Sequence, residues 1–132
     1  MGPDAGGVAM KPADFRAELV KIMPGYTWTV HKTPKHLPHT ELTATGIMSS
    51  GFNRISTLEV ARSEAGGRVR YRARSAGHGT KSEWAHCHTD GTLARALRGL
   101  QDHYQRIAGE NRALASRLQE GRQMPGVEIA NG

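Results

Sequence analysis

The stretch Ala65-Gly-Gly-Arg-Val-Arg-Tyr-Arg-Ala-Arg-Ser-Ala76 decides the fold. Its Gly66-Gly67 pair suits a two-residue hairpin turn, because both central positions of the favoured turn need a backbone that glycine adopts without strain. The residues after the glycines alternate cleanly. Val69, Tyr71 and Ala73 fall on one face of an extended chain, and Arg68, Arg70, Arg72 and Arg74 fall on the other. Such a period of two specifies a strand with one face on a core and one in water, the habit of an antiparallel sheet.

Upstream, Arg54 to Ser63 reads as the strand that pairs with it across the glycines. Ile55 is out of phase with Leu58 and Val60, which marks a bulge. Ser49-Ser-Gly-Phe-Asn53 is a turn, and Thr40 to Met48 is a further β-rich run. Pro34 and Pro38 frame a loop after Tyr26 to Thr33, where Tyr26, Trp28 and Val30 share a face. Before that, Pro12 suits a first helical turn, Phe15, Leu19, Ile22 and Met23 recur at helical spacing, and Pro24-Gly25 ends the run. Downstream, Gly77-His-Gly-Thr80 turns into a fifth strand, Ser82 to His88. Thr89-Asp-Gly-Thr92 then offers N-cap residues to a helix over 92–120. The order is α-β-β-β-β-β-α with short links. It predicts an α+β fold: an antiparallel meander of four to five strands, with a short N-terminal and a long C-terminal helix on one face.

The chain has 132 residues, which suits a single domain over 12–120, with residues 1–11 and 121–132 expected as flexible tails. The glycine-rich start lacks a charged-then-apolar leader pattern, and no apolar run reaches the roughly 20 residues of a membrane helix. The lone Cys87 excludes an internal disulfide and fits a reducing, cytoplasmic setting. The net charge is +6, with 18 basic against 12 acidic residues, a balance that favours nucleic acid or another acidic partner. Arginine outweighs lysine, which a GC-rich coding sequence would also produce.

The charge has a focus. Same-face residues along a strand stand about 6.6–6.8 Å apart, so Arg68, Arg70, Arg72 and Arg74 form a line of guanidinium groups suited to bidentate phosphate contact. Lys32, Arg54, Arg62 and Lys81 would widen that line if neighbouring strands present them on the same face, as would Lys35. The plainer reading is a solvated outer face, with Glu41, Glu59 and Glu83 available for cross-strand pairing. No stacking aromatics interleave with the arginines, which argues against a sheet that reads splayed single-stranded bases and favours backbone contact without sequence reading.

The C-terminal helix has a seam of its own. Leu93, Leu100, Ile107 and Leu114 repeat every seven residues, and so do Leu97, Tyr104, Asn111 and Leu118. Together they form an a/d stripe with Asn111 at an a position, where a polar residue fixes register in a dimer. Ala94, Ala108 and Ala115 broaden the stripe toward that of a helix on a globular core. At 1.5 Å per residue the helix spans about 43 Å, more than the roughly 30 Å of a domain this size. Residues 92–107 are therefore expected to pack on the sheet. Residues 108–120 either dimerise, through Tyr104, Ile107, Asn111, Leu114 and Leu118, or return to the first helix.

Other chemical signals are weaker. His86 and His88 share a strand parity with Trp84 and could begin a metal site, but a site needs one or two further ligands, and none is fixed by spacing. Gly77-His-Gly-Thr-Lys-Ser82 echoes the end of a P-loop, yet Thr80 stands where that motif has glycine, and a strand follows rather than a helix. No nucleophile, base and orienting group can be assembled. No cofactor, metal or catalytic residue is expected, and the chain reads as a binding protein.

The order of elements is similar to that of the double-stranded-RNA-binding domain, α-β-β-β-α, but departs from it in its extra strands and in a last helix that opens on Thr89-Asp-Gly-Thr92 rather than a basic cluster. Two segments, Ser49-Ser-Gly-Phe-Asn-Arg-Ile-Ser-Thr-Leu-Glu-Val60 and Asp90-Gly-Thr-Leu-Ala-Arg-Ala-Leu-Arg-Gly-Leu-Gln-Asp-His-Tyr104, resemble small accessory proteins of proteobacterial phages and mobile elements. That resemblance covers about a fifth of the chain. It implies support of, or interference with, a nucleic-acid process, for example inhibition of a host nucleoprotein complex such as a CRISPR complex.

Overall fold

A computed structural model describes residues 10–32, 41–76 and 83–124. The elements are α1 (Pro12–Ile22), β1 (Thr27–Val30), β2 (Leu42–Ser50), β3 (Asn53–Ala65), β4 (Arg68–Ala76), β5 (Trp84–Asp90) and α2 (Leu93–Gln123). The five strands form one sheet in sequential order, each antiparallel to the next. The fold is the expected α+β meander.

The turns follow their residues. Gly66 and Gly67 both have positive φ, 59° and 79°, the backbone that a two-residue hairpin loop demands. The β2–β3 register steps from Met48↔Ser56 to Ser49↔Arg54 and leaves Ile55 unmatched, so the out-of-phase isoleucine does mark a bulge.

The helix ends are also accounted for. Pro12 opens α1, and the Trp28 indole Nε1 donates to the Met23 carbonyl at 3.1 Å, satisfying one of the acceptors left at the end of the helix. The same indole lies over Gly46, where a Cβ would meet the ring at 2.7 Å, so β2 needs glycine there. At α2, the Arg95 N–H donates to Thr92 Oγ1 at 3.2 Å, which makes Thr92 the N-cap.

The core comprises Phe15 and Leu19 of α1, Trp28, Leu42, Ala44, Leu58, Val60, Tyr71 and Ala73 of the sheet, and Leu93, Ala96, Leu97 and Leu100 of α2. These strand residues lie on one parity, so both helices pack against a single face of the sheet. Met10, inside the stretch read as a tail, packs at the edge of this core.

Two expectations for α2 are corrected. Its fully buried residues end at Leu100, short of 107, and the chain divides into two compact units between Leu100 and Gln101. The alanine that packs is Ala96, fully buried, while Ala94, Ala108 and Ala115 are exposed. Gly99, which costs helix propensity, has a local reason: the His88 ring occupies the space a Cβ would need. The second unit is helical through Gln123, past the expected end at 120. Along it Tyr104, Leu114 and Leu118 are exposed (39%, 63% and 71%), as is Asn111, and Ile107 is partly buried.

Candidate nucleic-acid interface

Strand parity sorts the arginines. Arg68, Arg70 and Arg72 are exposed on the face of β4 opposite the core, and Arg74 on the same face is partly buried. Register carries that outer face across the sheet as the row Thr29, Thr45, Glu59, Arg74, Cys87.

Glu59 divides the arginine row into two kinds. Arg74 Nε donates to Glu59 Oε1 at 2.8 Å, and Arg72 approaches the same oxygen at 3.9 Å with half of its side chain still in solvent. Among the described residues, neither Arg68 nor Arg70 has a carboxylate within ion-pair distance. Glu59 therefore offsets one charge at the inner end of the row, and Arg68 and Arg70 at the hairpin end keep theirs without a carboxylate beside them among the described residues.

A bulge rearranges β5. The register passes from Ser75↔His86 to Ala76↔Trp84, so one extra residue, Ala85, separates the two pairs. Trp84 therefore leaves the face of His86 and His88 and joins the arginines, which corrects the expectation that the three share a side. The Arg74 guanidinium carbon lies 4.3 Å from the Trp84 ring centroid, a cation–π contact, and the indole is 40% exposed. Arg72, Arg74, Trp84, Ala85, His86 and Cys87 line an open cleft of about 290 Å3. So an aromatic ring does stand among the arginines. It arrives from the neighbouring strand, where the pattern of β4 alone gives no sign of it.

The wider set does not gather. Arg62 lies on the core side, only 9% exposed, and its Nε donates to the Tyr71 hydroxyl at 3.1 Å. That hydroxyl in turn donates to Glu18 Oε1 at 3.0 Å, so the arginine belongs to a chain tying β3 and β4 to α1. Burial is the largest influence on Tyr71 and raises its pKa; the Arg62 hydrogen bond opposes this and that to Glu18 adds to it. The visible signal was parity, since Arg62 is in phase with Leu58 and Val60. Arg54 sits at the β2–β3 hairpin end, beyond the Thr57↔Ala76 pair where the β3–β4 ladder stops. Lys32 follows β1, three strand spacings or roughly 14 Å from β4. Lys81, with Lys35, His36, His39, His78 and the rest of the stretch expected to turn at 77–80, lies outside the described residues. Six of the thirteen arginines are on α2 rather than on β4.

His88 Nε2 lies 3.9 Å from Asp90 Oδ2, and no group of three potential metal ligands occurs among the described residues. No helix of the described residues is long and apolar enough to cross a membrane. Comparison with protein families, curated proteins and solved structures finds no match for this chain.

Proposed function

We propose that this chain is a non-enzymatic nucleic-acid-binding protein that grips the phosphate backbone through the outer face of β4. The observation that carries this reading is the row of exposed Arg68, Arg70 and Arg72, of which the first two have no carboxylate partner among the described residues. Guanidinium groups in a line suit a polyanion, whose charges also come in a line. Arg74, held by Glu59, contributes orientation more than net charge. Three duplex phosphate contacts imply that log affinity falls with log salt at a slope of about −2.7. The double variant Arg70→Glu, Arg72→Glu should remove most of that slope in a mobility-shift or anisotropy titration. Salt-insensitive binding, or none to DNA or RNA, rejects the reading. If nucleic acid is not bound but the same variant abolishes association with an acidic protein, the face serves a protein partner, as the resemblance to phage accessory proteins implies.

A second surface supports self-association. Leu114 and Leu118, one turn apart on α2, are 63% and 71% exposed and continue the seam of Tyr104, Ile107 and Asn111. A second copy presenting the same seam would cover them as a coiled coil. Sedimentation should give a dimer for the wild type and a monomer for Leu114→Asp with Leu118→Asp; a wild-type monomer at all concentrations rejects it.

A further inference from the structure

Trp84 has no role in the core. The other tryptophan, Trp28, is 3% exposed, covers Gly46 and hydrogen-bonds the end of α1. Trp84 instead stands 40% exposed on the outer face, brought there by the β5 bulge, with one cation over its ring and the half-exposed Arg72 lining the same cleft. We infer that this face takes single-stranded nucleic acid, with one base stacked on the Trp84 indole, a neighbouring phosphate held by Arg72 and a phosphate further along the nucleic acid held by Arg70. The inference rests on the nucleic-acid reading of the same face and names its substrate class.

The physical case has three parts. A duplex keeps its bases inside its own stack, so an exposed indole gains nothing from it, whereas a single strand can present the face of a base. Arg74 is fixed from behind by its 2.8 Å contact with Glu59 and lies against the indole, so the ring is positioned before any ligand arrives and less side-chain freedom is lost on binding. The cleft beside the ring is open and lined by guanidinium groups, so a stacked base and its anionic backbone meet matching surfaces. Trp84 would be the stacking residue, Arg70 and Arg72 the phosphate contacts, and Arg74 a positioning residue.

The test compares a short mixed-sequence single strand, as RNA and as DNA, with the corresponding duplex, by fluorescence anisotropy of labelled oligonucleotide. The full chain is used as wild type, Trp84→Ala and Trp84→Phe. The single strand should bind more tightly than the duplex. Trp84→Ala should weaken single-strand binding by roughly five- to 150-fold, the range expected for one stacked base, and leave duplex binding within about two-fold. Trp84→Phe should recover most of the loss. Equal loss on both ligands, or loss on neither, overturns the stacking role while the backbone-binding reading stands; no binding of any oligonucleotide by the wild type overturns both. Should Trp84→Ala fail to fold, wild-type tryptophan emission decides. Trp28 is buried, so saturable quenching by bound single strand reports Trp84, and bound strand without quenching overturns the proposal.

Discussion

Arg62 and Arg72 occupy neighbouring positions on opposite faces of one sheet. Arg62 is paired with Tyr71, and Ala61, the residue before it, is paired with Arg72. One residue of parity gives the same side chain two different jobs. On the core face the guanidinium is desolvated and joined through Tyr71 to Glu18, so its worth is structural. On the outer face it keeps half of its surface in water and only a long contact to Glu59, so its charge remains available to a ligand. Position on the sheet, not residue type, decides which arginines are candidates for binding.

Arg62→Ala removes the buried donor to the Tyr71 hydroxyl and leaves the Tyr71–Glu18 hydrogen bond without its cation, which should cost about 2–3 kcal/mol in chemical denaturation. Arg72→Ala, one row away, should change stability by less than about 0.5 kcal/mol. Equal losses would show that the outer arginine is as structural as the inner one.

Two glycines of α2 sharpen the contrast between a buried and an exposed surface. At Gly99 a Cβ would drive into the His88 ring, whereas at Gly109 it would meet nothing within 4 Å. Helix propensity alone makes both Gly→Ala changes stabilising, by up to about 1 kcal/mol. Packing reverses the sign at the first site. Gly99→Ala should destabilise by about 1–3 kcal/mol, the usual cost of overpacking, and Gly109→Ala should raise the melting temperature. If Gly99→Ala is neutral, the His88 ring turns aside more cheaply than its packed position implies.

The fold was legible because it rests on local signals that tertiary structure did not override: two glycines at a hairpin, an unbroken alternation in β4, a misplaced Ile55 and a threonine at the start of α2. The site was legible only in part. The arginine row follows from alternation along one strand. Trp84 does not, because a single extra residue in β5 moves it to the other face, and Trp84-Ala-His-Cys-His88 contains nothing that locates the bulge. Lys32 and Arg54 share the charge of the row, but strand order and register, which set lateral distance, separate them. Parity with Leu58 and Val60 puts Arg62 on the core face, a place where arginine is rare unless paired.

Alkaline pH should act more weakly, and it again separates the two faces. Burial, opposed by Arg62 and aided by Glu18, raises the Tyr71 pKa, so the folded state favours the neutral phenol more than the unfolded chain does. The stabilisation linked to that shift is therefore complete below the unfolded value of about 10 and is lost as pH rises through the folded value. Denaturation of the wild type at increasing pH from neutrality should show a decline beginning near pH 10. Tyr71→Phe has no phenol to ionise and should show a shallower decline, although it starts from lower stability because Arg62 and Glu18 lose their shared partner. Arg72→Ala should follow the wild-type curve throughout, since the outer face takes no part in that proton. Parallel curves for wild type and Tyr71→Phe would mean that the buried chain is not what alkali attacks, and that the tyrosine hydroxyl contributes hydrogen bonds without linking the core to pH.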